Sequence, residues 1–174
     1  MHRELDARSL DLAGIIRPGD NIVWAHGAGE PQTLVERLLE QRHRIGPASV
    51  FLGNSTYTSA LKPVHADMLT FTSFGALGGL RDLVRAGIVR TIPCHVSQLV
   101  PCFNEGIIRS DVVFVQTSPP NENGEYSFSL NNDYLPAAIA KARVVIAEVN
   151  EQAPWTYCDA YLSPNRIDYV VKVS

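Results

Sequence analysis

Asn21-Ile22-Val23-Trp24-Ala25-His26-Gly27-Ala28-Gly29-Glu30-Pro31-Gln32-Thr33-Leu34-Val35-Glu36-Arg37-Leu38-Leu39-Glu40-Gln41 is the stretch that decides the fold. Residues 21–25 form an apolar run suited to a buried strand. Residues 32–41 place Leu34, Val35, Leu38 and Leu39 on one helical face, with Glu36, Arg37 and Glu40 opposite. Between them Gly27-Ala28-Gly29-Glu30-Pro31 forms a glycine-rich turn whose backbone N–H groups can approach an anion, with the positive end of the helix dipole behind them. Pro31 suits the first helical position, where a missing N–H costs nothing. A strand feeding a helix through such a turn is the building unit of a parallel α/β sheet.

The same alternation extends outward from this stretch. A first helix is expected over residues 5–15, stopped by Pro18-Gly19-Asp20. Strands follow at 49–52 and 69–74, then a helix at 80–86 closed by Gly87, a strand at 89–93 and a helix at 97–104. Residues 111–116 read as a strand buried on both faces, 133–142 as a helix, and 144–149 and 167–173 as further strands. No repeat, low-complexity segment or long linker interrupts the pattern. The expectation is one domain over residues 1–174: an open, mostly parallel α/β sheet with helices on both faces.

Composition narrows the function. With 174 residues, 45% hydrophobic and 19% charged, and a net charge of −3, the chain fits neither disorder nor a nucleic-acid surface. No apolar run approaches the roughly 20 residues needed to cross a bilayer, and Met1-His2-Arg3-Glu4-Leu5-Asp6 is too polar to open a signal peptide. A soluble, cytoplasmic protein is expected. Cys94, Cys102 and Cys158 form no CxxC pair and leave an odd count, as expected of reduced thiols serving as small core residues.

In open α/β sheets ligands bind outside the carboxyl ends of strands. Three loops qualify here: the glycine turn, Thr117-Ser118-Pro119-Pro120-Asn121-Glu122-Asn123-Gly124, and residues 150–159. Turn chemistry alone accounts for any one of them, but less readily for all three at corresponding strand ends. The Rossmann reading fits poorly, because its third glycine falls at Gln32 and Gly53-Asn54 stands where the next strand should close on an acid; no Walker Gly-Lys-Ser/Thr follows either. No GxSxG elbow or Cys-His signature is present. His26 adjoins the turn, as a structural hydrogen-bonder or a base. His65 and His95 lack metal-site spacing, His2 and His43 read as surface, and no metal is expected. Among the acids, Glu30 suits an electrostatic or capping role, Glu148 a buried paired acid, and Asp159 an approach to the cleft.

Several longer motifs carry a resemblance: Gln116-Thr117-Ser118-Pro119-Pro120-Asn121-Glu122-Asn123-Gly124 with Asp133-Tyr134, Ala147-Glu148-Val149-Asn150-Glu151-Gln152-Ala153-Pro154-Trp155-Thr156, and Ile167-Asp168-Tyr169-Val170-Val171. Gly29-Glu30-Pro31-Gln32 and Ile92-Pro93 with Ser97 add to it. From about Leu12 onward the chain resembles the N-terminal half of the acetyl-CoA hydrolase/transferase family, which includes 4-hydroxybutyrate and acetate CoA-transferases. It departs from the family at Trp155, Cys158 and Ser163, where relatives usually carry Arg, Gly and His, and at Ser129 and Asn131. Those positions leave the acyl specificity open.

The resemblance implies a class I CoA-transferase N-terminal domain and covalent chemistry. A glutamate attacks an acyl-CoA, an acyl anhydride forms, and the CoA thiolate then gives a glutamyl-CoA thioester; a carboxylate acceptor or water closes the cycle. In the family that glutamate lies in a second domain, within a Ser/Thr-Glu-Met stretch followed by Ser-Asp-Gly, and no such stretch occurs among these 174 residues. No catalytic residue is therefore assigned here, and a second domain or subunit is the expected partner. Coenzyme A is expected as a substrate, with no tightly bound cofactor and with self-association of the protein. Gly27, Ala28, Gly29, Glu30 and Pro31, with Ser118, Pro119 and Pro120, are expected to line the acyl end of the site. Gln32, Asn54, Asn123 and Gly124 are further candidates, the first three for orienting the acyl group. A noncatalytic acyl-CoA or partner-binding module, an acyl-CoA hydrolase half-domain, and a stand-alone thioesterase using Glu30 or Glu148 are the open alternatives.

Overall fold

Over residues 3–55 and 60–174, which the computed structural model describes, strand and helix alternate. The elements are β1 (Arg3–Leu5), β2 (Asn21–Trp24), α1 (Gln32–Ile45), β3 (Ala48–Leu52), β4 (Leu69–Ser73), α2 (Arg81–Arg85), β5 (Val89–Thr91), α3 (Leu99–Asn104), β6 (Val112–Thr117), α4 (Leu135–Lys141), β7 (Val144–Asn150) and β8 (Tyr169–Val173). His2 lies outside the described residues. The strands form one sheet in the order β1-β8-β7-β6-β2-β3-β4-β5, and every neighbouring pair is parallel. The chain builds outward from β2 to β5, returns to the free side of β2 with β6, and continues through β7 to β8. Strand order thus reverses between β2 and β6, so the loops leaving their carboxyl ends part around a crevice.

Side-chain alternation divides the core into two faces. On one, Ile22, Trp24, Val50, Leu52, Val112, Phe114, Val144 and Ile146 lie beneath Leu34, Val35 and Leu38 of α1. Register sets Trp24 beside Phe114, with ring centroids 6.4 Å apart. On the other, Val23, Phe51, Val113, Val115, Val145 and Ala147 are covered by Leu99 and Phe103 of α3 and by Leu135 and Ala138 of α4. Cover on both faces is what allows β6 and β7 to be almost wholly apolar.

The helix expected over residues 5–15 does not form. Arg3–Leu5 instead pairs with β8, and only Leu12–Gly14 makes a 3-10 turn. The segment's peptide groups are bound by side chains that compete with a helix. Asp6 Oδ1 accepts from the Arg8 and Ser9 N–H groups, Asp11 from Ala13, and Gln41 of α1 binds both the Leu12 N–H and the Leu10 carbonyl. Elsewhere the differences are at boundaries. α1 runs on to Ile45, where Gly46 takes φ 86° and ends it, while β5 stops at Thr91 and α4 begins only at Leu135. Cys94, Cys102 and Cys158 are free and only half-buried rather than core residues.

Leu38, fully buried against the sheet, carries much of the α1 packing. Leu38→Ala is expected to cost about 2–5 kcal/mol in urea denaturation, while Glu40→Ala on the exposed face should cost roughly 0.5 kcal/mol or less.

Candidate functional site

Segments leaving β2, β6 and β7 are joined by hydrogen bonds at the carboxyl end of the sheet, through Gln116 and residues 127–131 rather than through the expected 117–124 loop. The Gln116 side chain, at the end of β6, donates to the Ala28 carbonyl at 3.0 Å and accepts from Asn150 of β7 at 3.1 Å. Asn131 donates to the His26 carbonyl at 3.0 Å. Thr156 of the third loop donates to the Ser129 carbonyl at 2.6 Å, and its own N–H donates to Ser127 Oγ. Two glycines make this approach possible. A Cβ on Gly29 would lie 2.6 Å from that of Asn131, and one on Gly53 would overlap the His26 side chain.

The turn itself is more self-contained than its glycine content implies. The N–H groups of Gly27, Gly29 and Glu30 donate to the Asn54, His26 and Gly27 carbonyls, leaving the Ala28 N–H without an acceptor among the described residues. Nor does Glu30 cap α1. Its carboxylate, 3% exposed, accepts from Trp24 Nε1 at 3.2 Å and from Ser55 Oγ at 2.9 Å. The helix begins at Gln32, one residue after Pro31, and Glu148 of β7 supplies its cap. The Leu34 N–H donates to Glu148 Oε2 at 3.0 Å, and the Thr33 N–H also bonds this carboxylate. Burial is the largest influence on Glu148. It outweighs the two N–H bonds and, with the like charge of Glu36, pushes the pKa up to about 7.

His26 stands at the lip of the crevice. Its Nε2 meets Asp133, and its ring packs against Phe74 and Tyr134 at 6.0 and 6.1 Å. Tyr134 is buried beneath it. Desolvation and then the neighbouring Asp133 push the phenol pKa up, so it stays a donor to the Trp24 carbonyl at 2.7 Å. Around this nest, buried polar atoms lack partners among the described residues: His26 Nδ1, Asn54 Oδ1, Thr117 Oγ1, Ser129 Oγ, Asn131 Oδ1 and Asn132 Oδ1. Such atoms are uncommon in a finished interior; these six lie toward the carboxyl ends of the strands, while a further one among the described residues, Ser110 Oγ, precedes β6. Ser129 is also held at φ 56°, a conformation that L residues adopt at a cost.

Of the residues expected at the site, Gly27, Ala28, Gly29, Glu30, Pro31 and Asn54 lie together, since Gly27 pairs with Asn54 across β2 and β3. Gln32 is exposed at the start of α1. Ser118 is buried, with its hydroxyl on the Pro119 carbonyl, and Pro119 and Pro120 are exposed. Asn123 and Gly124 occupy a separate turn organised by Asn121. No hydrogen bond among the described residues joins that turn to the glycine turn. Asp159 is exposed and likewise makes none. Gln116, Asn150 and Asp133 stood in the quoted motifs, but sequence reasoning assigned them no role. For Gln116 and Asn150 the available signal was a polar residue continuing the alternate apolar positions of a buried strand; Asp133, in the turn before α4, carried no such signal.

Two tests follow from this geometry. Gly29→Ala should force the 25–31 and 129–133 segments apart and cost about 1–3 kcal/mol by thermal denaturation. Glu148, with its folded pKa above the unfolded 4.5, leaves stability unaffected below about pH 4 and lowers it as the pH rises toward 7. Relative to wild type, Glu148→Gln should therefore gain up to roughly 3 kcal/mol between pH 4 and pH 8 in denaturant titrations.

Comparison with known proteins covers nearly the whole chain. The family model described as the acetyl-CoA hydrolase/transferase N-terminal domain matches residues 6–173. The 4-hydroxybutyrate coenzyme A transferase of Clostridium kluyveri is 33% identical over 157 residues, covering 88% of this chain and 36% of that protein. A succinyl-CoA:cyclohexane-1-carboxylate CoA transferase of Geobacter metallireducens is 25% identical over 175 residues, covering 98% and 39%. The crystal structure of a 4-hydroxybutyrate CoA-transferase from Porphyromonas gingivalis matches with a TM-score of 0.73 and 27% identity over 98% of this chain and 39% of its own. RipA from Yersinia pestis, at 22% identity and a TM-score of 0.87 over 98% and 42%, shares the fold. The chain thus spans about two-fifths of the length of each.

Proposed function

Because the chain belongs to the acetyl-CoA hydrolase/transferase family through that family's N-terminal domain, we propose that it builds one wall of a site moving coenzyme A between an acyl-CoA and a small carboxylic acid. The observation that carries this reading is that segments leaving β2, β6 and β7 are tied together by hydrogen bonds beside the β2/β6 crevice, where several buried polar atoms lack partners among the described residues. A glutamate of a second domain or subunit is the nucleophile in this reading. Attack on an acyl group places negative charge on a carbonyl oxygen, and a positioned donor such as the Ala28 N–H stabilises it; losing one such donor typically costs about 3 kcal/mol. His26, oriented by Asp133, and Asn131 lie beside that donor and set the shape available to the acyl group.

The rim of the same edge supports a covering partner. Leu77, Leu130 and Tyr157, on the loops after β4, β6 and β7, are exposed by 50%, 58% and 91%. Exposed apolar groups of this kind favour burial against a partner. The 174-residue chain alone is expected to move no CoA from acetyl-CoA to butyrate. Joined to the remainder of the Clostridium kluyveri relative, it should form butyryl-CoA, and Asn131→Leu should lower kcat/KM at least tenfold (about 1.4 kcal/mol). Chromatography of the acyl-CoA products separates transfer from hydrolysis, and transfer by the chain alone would refute the division of labour.

A further inference from the structure

We propose that Glu148 is a positioning residue, whose carboxylate grips the first turn of α1 from the floor of the sheet and so fixes the glycine turn that precedes the helix. The inference rests on the CoA-transfer reading for its kinetic consequence, but not for the grip itself.

The argument begins with strand alternation. Val112 and Phe114 on β6, and Val144 and Ile146 on β7, form the apolar floor beneath α1. The next positions on the same face are Gln116, Glu148 and Asn150, so the floor ends in a polar row directly under the turn. Each member of that row is engaged: Asn150 binds Gln116, Gln116 binds the Ala28 carbonyl, and Glu148 binds the N–H groups of Thr33 and Leu34. α1 has no cap of its own, since Pro31 offers no side-chain acceptor and the first turn holds no acid. Uncapped N–H groups at a buried helix start need an acceptor, and the strand supplies one. Glu148 is 2% exposed, so water does not compete for those donors.

The grip depends on charge. An ionised carboxylate accepts both N–H groups and complements the helix dipole, whereas the protonated acid surrenders part of that capacity. Glu36 on α1 is the charged group acting on Glu148. Its register partners Gln116 on β6 and Val171 on β8 are uncharged. On the turn side, the Glu30 carboxylate is directed to Trp24 and Ser55, and His26 to Asp133. Burial places the titration of Glu148 close to neutrality, so the grip strengthens as pH rises through that range.

The 174-residue chain, labelled with 15N, gives the first test. The Thr33 and Leu34 amide resonances should titrate together with a midpoint near neutral pH in wild type, and should not titrate in Glu148→Gln. Glu36→Gln, on the exposed helix face, should move the midpoint to lower pH, and it provides the same test if Glu148→Gln fails to fold. Wild-type amides that do not titrate, or that titrate unchanged in both variants, would overturn the proposal. In the two-domain fusion, Glu148→Gln should lower kcat about tenfold with KM within twofold, and should abolish the rise of kcat through neutral pH. A residue that served only the fold would leave that pH profile in place. A fusion inactive even in wild type would count against the proposed transfer, while the amide titration would still decide the role of Glu148.

Discussion

The parallel pairing of β6 with β2 is the constraint on which the rest of the molecule depends. It brings the chain back to the sheet's first-built strand after an excursion through β3, β4 and β5, and so reverses the strand order. Without that return, the loops after β2 and β6 would sit at unrelated places along the edge. With it, Gln116 reaches the Ala28 carbonyl and Asn131 reaches that of His26. The pairing is stabilised by the interior on both faces, where Trp24 lies against Phe114 on one side and Val23 and Val113 share the other core.

Close approach is the second requirement. Gly29 and Gly53 are placed where any side chain would collide with Asn131 or His26, which explains both glycines better than a phosphate-cradling role does. Most of the turn's N–H groups close onto neighbouring carbonyls, and the helix behind it is capped from below by Glu148. The turn is therefore held by its own hydrogen bonds, and the side chains of His26, Asn54, Asn131 and the strained Ser129 lie around it.

Two buried carboxylates lie on either side of the start of α1 and do different work. Glu30 ties the turn to Trp24 and Ser55, joining β2 to β3, whereas Glu148 ties the helix to β7. Each links elements distant in the chain, so each couples the crevice to the core. This arrangement accounts for acidic residues at positions where an apolar side chain would pack at lower desolvation cost.

The residues by themselves determined the α/β alternation, the mostly parallel sheet and the family, because hydrophobic periodicity, glycine turns and contiguous motifs are local in the chain. Residues 21–41 were legible for that reason: strand, turn and helix each carry their own pattern. Residues 5–15 were not, since apolar spacing there matched a helix while Asp6, Asp11 and the distant Gln41 bound the peptide groups that a helix needs. The role of Glu148 was equally hidden, because a helix starting at residue 32 and a carboxylate at residue 148 become neighbours only when β7 slides beneath α1. Only the tertiary structure decided which N–H groups are spent, which acid caps the helix and which polar atoms are left without partners. Those outcomes depend on contacts between segments about a hundred residues apart, and no local pattern records them.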